Sequence, residues 1–167
     1  MTTQVNETIG TKQRVLFVCL GNICRSPMAE AVLRHMVKQQ GLEELVEIDS
    51  AGTGDWHIGK PPHEGTRRLL EGYGIGYEGM KARQVRSEDY AEFDYIICMD
   101  SQNEQDIRQW LPQGSTRAKT MKFMDLLPQR GIADVPDPYY TGNFEEVYEM
   151  VEAGCRKLLA LIREPLD

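Results

Sequence analysis

The chain has 167 residues, a formal net charge of −7 and 41% hydrophobic residues, values that are ordinary for one globular domain. The acidic balance argues against binding of nucleic acid through a broad basic face, and no apolar run approaches the ~20 residues that span a bilayer. The four cysteines, Cys19, Cys24, Cys98 and Cys155, fit no zinc spacing and are too few for a secreted disulfide scaffold, so we expect a cytoplasmic protein without nucleic-acid, membrane or metal partners.

The first segment in chain order, residues 1–13, is polar, has no hydrophobic periodicity and lacks a signal-peptide core. We expect a flexible tail there, because disorder concentrates at chain ends that nothing ties down. One folded domain is predicted over residues 14–167. We expect a monomer, with weak self-association as the alternative.

A strand, a loop and a helix are predicted next. Residues 15–19 are an apolar run rich in β-formers, residues 20–26 are turn-like, and residues from 27 to a stop at Gly41 have helical spacing. A loop of this kind turns consecutive backbone N–H groups toward one point, which the positive end of the helix dipole also faces. The pattern predicts an anion-binding loop.

Cys19 and Arg25 add chemistry to this loop through a Cys-x5-Arg spacing. An ordinary thiol, with a pKa of ~8.5, is mostly protonated at neutral pH, but loop amides, a helix N-terminus and a guanidinium all favour the thiolate. Arg25 offers a planar fork to two phosphate oxygens, and Ser26 is a candidate N-cap whose hydroxyl is placed to reach the sulfur. The alternative, a buried strand cysteine without a role, is disfavoured because Gly21 and Asn22 complete the turn beside these side chains.

The second predicted strand, residues 45–50, leads into a loop rich in glycine and proline over residues 51–63. Trp56 in this loop is either a lid on the core or an exposed aromatic wall for a ligand. Ser50, at the end of the strand, is a simple turn residue on its pattern alone.

The remaining predicted elements alternate between helix and strand. A short helix over 64–72 precedes a strand over 93–99 and a helix that starts after Asp100 and packs through Ile107, Trp110 and Leu111; a weaker strand over 118–123 and a long helix over 144–162 follow. This alternation predicts an α/β fold, a single-domain open twisted sheet of four parallel strands with helices on both faces. The site is then expected at the carboxyl ends of the strands.

The loop before the final helix holds Asp137 between two prolines, which limit its freedom. Asp134, a near neighbour, is interpreted as a solvated loop charge. Tyr139 and Tyr140 are candidates for an aromatic wall opposite Trp56, with core packing of Tyr140 as the alternative.

Several runs of this sequence resemble the signatures of one family. The run CLGNICRSPMAE at 19–30 closely resembles the phosphate-binding loop of the low-molecular-weight protein tyrosine phosphatases. Three more stretches are similar to the family's other signatures: SAGTGDWHIGKPPH at 50–63, ARQV at 82–85 with FDYIICMD at 93–100, and DPYY at 137–140. The resemblance runs from about residue 14 to the C-terminus, and the combination is far more specific than Cys-x5-Arg alone.

The resemblance implies an enzyme that hydrolyses phosphotyrosine in proteins, and other aryl phosphate monoesters, to inorganic phosphate. Cys19 is then the nucleophile of a cysteinyl-phosphate intermediate, with Arg25 as a phosphate ligand and Asp137 as general acid and later base. The phosphate-binding loop is completed by Leu20, Gly21, Asn22, Ile23, Cys24 and Ser26. No metal or cofactor is expected, because Arg25 and the loop amides supply the positive charge.

The resemblance also implies supporting residues. It favours Trp56 as an exposed wall and makes this residue, and less strongly His57, a candidate for substrate selection. Ser50 resembles a serine that hydrogen-bonds the loop asparagine, here Asn22. Met80 stands where some members carry a histidine that supports this asparagine, so we expect a network that is smaller or rebuilt by water.

Cys24 lies on the same loop as Cys19 and is a candidate redox residue. It would trap an oxidised Cys19 as a disulfide and so spare the sulfur from further oxidation. A simple role in loop packing is the alternative for Cys24.

Three other functions use a loop of this kind. Arsenate reductase is disfavoured because its chemistry needs further thiols, and Cys98 and Cys155 stand alone in the sequence. Phosphoarginine phosphatases resemble the loop but carry threonine where this chain has Ile23, and they lack the two tyrosines that follow Asp137. A phosphate-binding module without catalysis is disfavoured, because binding alone needs neither Cys19 nor Asp137 and this chain has both.

Overall fold

The computed structural model describes residues 12–110 and 118–164. Its centre is a sheet of four parallel strands in the order β2-β1-β3-β4, which confirms the predicted sheet. The strands are β1 Gln13–Cys19, β2 Val46–Gly52, β3 Tyr95–Cys98 and β4 Lys119–Lys122. Because the strand order reverses beside β1, the carboxyl ends of β1 and β3 flank the crevice where open α/β sheets bind their ligands.

Six α-helices lie within the described ranges. They are α1 Arg25–Gln39, α2 Glu64–Gly72, α3 Asp89–Glu92, α4 Ser101–Gln109, α5 Pro138–Thr141 and α6 Phe144–Arg163. The four longer helices match the predicted ones, and Asp100 caps α4 as predicted. The single-turn helices α3 and α5 are too short for a periodic pattern and were not predicted.

Strand β1 is buried because helices cover both faces of the sheet. On one face Phe17 lies in a cluster with residues of α1 and α6, and on the other face Val18 lies in a cluster with Ile107 of α4. Residues 15–18 have no exposed surface. The helices on both faces are thus as predicted, and the end of β1 is firmly held.

Gly154 lets α6 approach the turn that follows β4. A Cβ atom at this position would lie 2.2 Å from Cε1 of the fully buried Phe123 ring. Since Cβ atoms do not approach other heavy atoms so closely, glycine is required here by the packing of the helix against Phe123.

One packing prediction is wrong. Trp110 is 46% exposed, because α4 ends one residue before it and the ring falls outside the buried stripe that contains Ile107. Leu111 and residues 1–11 of the predicted tail lie outside the described residues. No helix in the described part of the chain is both long and apolar enough to pass through a bilayer.

Candidate active site

The loop between β1 and α1 curves around the sulfur of Cys19. Asn22 has a φ of 57° and is the only non-glycine residue with a positive φ in the described ranges. Asparagine tolerates this left-handed conformation better than most residues. The N–H of Asn22 donates to Cys19 Sγ at 3.3 Å, and Ser26 Oγ lies 3.0 Å from the same sulfur. The sulfur therefore lies where the loop and the start of α1 converge.

Helix α1 begins earlier than the sequence predicts. Its first helical hydrogen bond runs from the N–H of Met28 to the carbonyl of Cys24, and Cys24 occupies the N-cap position without a capping side chain. The prediction that Ser26 is the N-cap is therefore wrong. The Ser26 hydroxyl faces the sulfur instead, at a position shielded from water because Cys19 is 2% exposed.

The guanidinium of Arg25 is buried and held by several acceptors. Nη1 donates to Asp100 Oδ2 at 2.8 Å and to the Val135 carbonyl at 2.9 Å, and Nη2 lies 3.5 Å from Asp137 Oδ2. Burial alone would lower the pKa of Arg25. The neighbouring negative charges, with that of Cys19 the largest, outweigh burial and raise the pKa of Arg25 above its ordinary value. The buried Nε has no hydrogen-bond partner among the described residues. Arg25 is thus a fixed cation with a donor available to an anion.

A hydrogen-bond network holds the side chain of Asn22. Nδ2 donates to Ser26 Oγ at 2.8 Å and to Ser50 Oγ at 2.9 Å, and Oδ1 accepts from the N–H of Arg83 at 2.9 Å. Ser50 Oγ in turn donates to Glu30 Oε1 at 2.6 Å. Both N–H bonds of the Asn22 amide are therefore satisfied within the protein, and the implied contact between Ser50 and Asn22 is present.

The expectation that Met80 leaves Asn22 with a smaller or water-mediated network stays a prediction. Met80 is buried in the main core, and the partners of the Asn22 amide come from Ser50 and from the main chain of Arg83. Arg83 is itself fixed by an ion pair at 3.0 Å with Asp89, whose carboxylate has no exposed surface. Arg83, in the ARQV motif, thus holds the side chain of Asn22 through its main-chain N–H. The sequence does not predict this contact, which joins residues that are 61 positions apart.

A cleft of about 200 Å³ brings Cys19, Arg25 and Asp137 together. Asp137 caps α5, because its Oδ1 accepts a hydrogen bond from the N–H of Tyr139 at 3.0 Å. Also lining the cleft are Leu20, Gly21, Ile23, Cys24, Trp56, His57, Tyr139 and Tyr140. Asn22, Ser26 and Ser50 are not part of the lining, because their buried side chains turn toward one another behind the loop.

The aromatic residues of the cleft are exposed. Trp56, Tyr139 and Tyr140 are 65%, 55% and 76% exposed, and the two tyrosine rings meet edge to face with centroids 5.2 Å apart. Trp56 is therefore not a lid on the core, and Tyr140 does not pack in the core. The three rings can contact a flat apolar ligand at the mouth of the cleft.

Two acidic residues make contacts that the sequence does not predict. Asp100, predicted only as a helix cap, also pairs with Arg25. Asp134, interpreted as a solvated charge, accepts from the N–H and the hydroxyl of Ser101 at 2.9 and 2.7 Å; although burial opposes them, these bonds lower its pKa. A signal for Asp100 was available, because it directly follows a predicted strand and the carboxyl ends of parallel strands meet at the edge of the sheet that holds Cys19. That β3 lies beside β1 is seen only in the structure.

Cys24 is 4% exposed and packs with Ile23 and Ala82. Burial, aided by the charges of Cys19 and Asp137, raises the pKa of Cys24 to about 12. Its thiolate is therefore scarce at neutral pH. These contacts are what a loop-packing residue makes, and the redox role stays a prediction.

Comparison with known proteins identifies one family over nearly the whole chain. A family model described as low molecular weight phosphotyrosine protein phosphatase matches residues 14–166. The chain belongs to this family. The sequence resemblance is thereby confirmed.

Individual low-molecular-weight phosphatases are similar in sequence. YfkJ of Bacillus subtilis strain 168, a low-molecular-weight protein-tyrosine-phosphatase, is 52% identical over 150 residues, which cover 90% of this chain and 96% of YfkJ. PtpA of Staphylococcus epidermidis, a phosphatase of the same description, is 45% identical over 148 residues, or 89% of this chain and 92% of PtpA.

Solved structures agree with these matches. The crystal structure of YfkJ has a TM-score of 0.86 and 51% identity, and covers 92% of this chain and 96% of that one. The Drosophila arginine phosphatase has a TM-score of 0.83 and 31% identity, with 88% and 96% coverage. The fold of this low-molecular-weight phosphatase is thus shared across bacteria and animals.

Proposed function

We propose that Cys19, Arg25 and Asp137 carry the reaction of this protein-tyrosine-phosphatase. As a member of its family, the chain is a cysteine-dependent hydrolase that acts on phosphoproteins. The observation that carries the assignment is the set of donors around one buried sulfur. The Asn22 N–H and the Ser26 hydroxyl lie 3.3 and 3.0 Å from Cys19 Sγ, at the N-terminus of a 15-residue helix.

In the first step the Cys19 thiolate attacks phosphorus in line with the tyrosine oxygen. The sulfur–phosphorus bond forms as the bond from phosphorus to the tyrosine oxygen breaks, and Asp137 gives its proton to that oxygen. Arg25 and the loop N–H groups stabilise the equatorial oxygens, on which the charge of the transition state is spread. The products are a cysteinyl phosphate and a free tyrosine side chain.

In the second step Asp137, now ionised, takes a proton from a water molecule as the water attacks phosphorus. The sulfur–phosphorus bond breaks, the Cys19 thiolate is restored and inorganic phosphate leaves. Arg25 supplies the cationic charge throughout, so the proposal includes no metal or cofactor.

The substrate of this proposal is phosphotyrosine in a protein. The exposed rings of Trp56, Tyr139 and Tyr140 border the cleft that leads to Cys19. The phenyl ring of phosphotyrosine, bound between these residues, stacks against aromatic rings on both sides while its phosphate reaches the loop. Phosphoserine is shorter and has no ring, so it makes no such contact with Trp56, Tyr139 or Tyr140. Aromatic contact therefore supports selection of tyrosine over serine.

Two alternative reactions have less support. Arsenate reduction needs relay thiols, but Cys98 and Cys155 have no exposed surface, do not line the cleft, and have pKa values that burial raises. The second alternative is dephosphorylation of arginine, since the similar Drosophila protein is named an arginine phosphatase. The exposed tyrosines after Asp137 favour a phenyl ring instead, and Ile23 stands where phosphoarginine phosphatases carry threonine.

We also propose that the enzyme is a cytoplasmic monomer. The predicted start of the folded domain at residue 14 is one residue late, because Gln13 already belongs to β1 and its N–H donates to the Leu45 carbonyl at 2.9 Å. The four cysteines are all unpaired, which supports a reducing compartment. The net charge of −7 supports a protein that does not self-associate strongly.

Hydrolysis of p-nitrophenyl phosphate in the presence of a chelator tests the proposal. Wild type and the control Cys98→Ala should turn over substrate, while Cys19→Ser should lose activity by roughly a thousandfold or more because it lacks the thiolate. Retained turnover in Cys19→Ser would refute the covalent mechanism. Kinetics on phosphotyrosine, phosphoserine and phosphoarginine peptides, with arsenate reduction in parallel, rank the substrates, and a preference for any class other than phosphotyrosine would contradict the assignment.

A further inference from the structure

Glu30 is a buried carboxylate that the proposed chemistry does not use. It lies on α1, one turn after Ser26, and is 3% exposed. Oε1 accepts from Ser50 Oγ at 2.6 Å, and Oε2 pairs with Arg34 at 2.6 Å. Burying an ionisable group is unfavourable unless partners compensate, so the retention of a carboxylate here calls for a role in the network it joins.

The network has a direction, which follows from what each group can donate. The Nδ2 atom of Asn22 is donor only, so Ser26 Oγ and Ser50 Oγ both accept from it. Having accepted from Asn22, Ser50 uses its own hydrogen for Glu30. Ser26 Oγ lies 3.0 Å from Cys19 Sγ, a contact in which either group can donate. With Cys19 as the thiolate of the proposed mechanism, the sulfur has no hydrogen, so Ser26 is the donor. The chain of donors thus runs from the Asn22 amide to Glu30 at one end and to the sulfur at the other.

We propose that Glu30 is a positioning residue, which acts through Ser50 and Asn22 to direct the hydroxyl hydrogen of Ser26 onto the sulfur of Cys19. An ionised carboxylate only accepts, so the Ser50 hydrogen must point toward it and the Ser50 lone pairs toward Asn22. Without that acceptor the Ser50 hydroxyl can rotate and turn its hydrogen toward Asn22 Nδ2, so the Asn22 amide is held only by Ser26 and by the N–H of Arg83. The inference rests on the proposed role of Cys19 as nucleophile.

Charged groups from three elements face Glu30. Arg34 lies on its own helix, Asp49 on β2, and Arg83 in the segment before α3. Burial raises the pKa of Glu30 to about 7, with Asp49 adding to the effect while Arg34, Ser50 and Arg83 oppose it. A protonated Glu30 can itself donate to Ser50 and so compete with Asn22. The direction of the network is therefore expected to depend on pH near neutrality.

The test compares Glu30→Met with the control Glu47→Met. Methionine matches the length of glutamate but offers no comparable acceptor, and Glu47 is an exposed acid on β2. The readout is the rate of iodoacetamide alkylation at Cys19 across pH, located by fragment mass spectrometry, which needs no turnover. We expect the midpoint of alkylation to move to higher pH and kcat for p-nitrophenyl phosphate to fall about tenfold, the effect of one hydrogen bond, with KM little changed. The control should match wild type in both assays.

A double-mutant cycle with Ser50→Ala separates positioning from packing. If Glu30 acts through Ser50, then Glu30→Met has no further effect on alkylation once Ser50 is alanine. If the effects of the two changes multiply in the double variant, the inference is overturned. A midpoint of alkylation that moves to lower pH overturns it as well, because that is the result expected from removal of a negative charge alone, which favours the thiolate. If Glu30→Met does not fold, Glu30→Leu, which also offers no acceptor, is used with the same criteria. Because alkylation is independent of hydrolysis, loss of the phosphatase assignment and loss of this inference are distinguishable.

Discussion

Arg25 and Asp100 form an ion pair at the floor of the cleft, with 2.8 Å between Nη1 and Oδ2, although 75 residues separate them in the chain. The other oxygen of Asp100 accepts from the N–H of Asn103 at 2.8 Å and caps α4. One carboxylate therefore fixes both the guanidinium of Arg25 and the start of the helix that follows the neighbouring strand β3.

Asp100→Asn should lower kcat/KM for p-nitrophenyl phosphate by about tenfold, because Arg25 loses a charged acceptor while asparagine still caps α4. Asp106→Asn, an exposed change on the same helix, serves as the control and should leave the rate unchanged. Equal activity of Asp100→Asn and wild type would mean that the Val135 carbonyl alone is enough to hold Arg25.

Asp137→Asn should reduce kcat by about a hundredfold or more while KM stays nearly constant, because asparagine keeps the cap of α5 but cannot give a proton. The effect should depend on the leaving group. Phenyl phosphate, whose phenolate is the poorer leaving group, should be slowed more than p-nitrophenyl phosphate. An equal loss for both esters would indicate that Asp137 positions groups rather than acting as the acid.

Mild peroxide should convert Cys19 and Cys24 to a disulfide, and dithiothreitol should then restore activity. Because burial raises the pKa of Cys24 to about 12, the step that closes the disulfide should accelerate as pH rises from 7 to 9. Cys24→Ser should instead give over-oxidised Cys19 that dithiothreitol cannot reduce. Mass spectrometry of the peptide that contains both residues decides the outcome, and over-oxidation in the wild type would leave Cys24 with a packing role only.

The free energy of unfolding should decrease as pH rises from about 4.5 to 7 in the wild type relative to Glu30→Gln. Burial raises the pKa of Glu30 from 4.5 to about 7, so the folded state binds more protons than the unfolded state in this window. The penalty for ionising Glu30 accumulates as pH rises through it, reaches about 3 kcal/mol and is constant above it. Urea unfolding at pH 5, 6, 7 and 8 measures the difference, and parallel curves for the two proteins would contradict the prediction.

Gly154→Ala should destabilise the protein by about 1–3 kcal/mol, because the new methyl group would overlap the ring of Phe123. Gly72→Ala is the matched control: it is also a helical glycine, but a Cβ there meets nothing within 4 Å. The control should be at least as stable as the wild type, with a gain below roughly 0.5–1 kcal/mol, the advantage of alanine in a helix interior, because Gly72 is the last residue of its helix. Urea unfolding of both variants checks the pair.

The elements of the fold were predictable because each carries a local pattern. Strand β1 is an uninterrupted apolar run, and α6 has a regular apolar stripe, so both were located within one or two residues. The ends of α1 were harder to place. The sequence indicates a turn at Gly21 and Asn22, but it does not show that the helix begins at Arg25, two residues before the predicted start.

The candidate site was predictable only where spacing within one segment carries the chemistry. Cys19, Arg25 and Ser26 belong to one loop, so their proximity follows from the sequence. The contacts that hold this loop join distant segments: 61 residues separate Asn22 from Arg83, and 110 separate Arg25 from Val135. Such contacts depend on the order of the strands in the sheet, which hydrophobic patterns do not specify.

The burial of β1 on both faces has a consequence for local opening of the molecule. Amide hydrogens of residues 15–18 should exchange with deuterated solvent only through global unfolding, whereas those of the exposed single-turn α5 should exchange through small fluctuations. The sulfur is thus anchored to the most protected strand, and Asp137, the proposed proton donor, is anchored to a weakly protected turn. Under mild denaturant the enzyme should lose its acid catalyst first and retain a phosphate-binding pocket that reacts slowly.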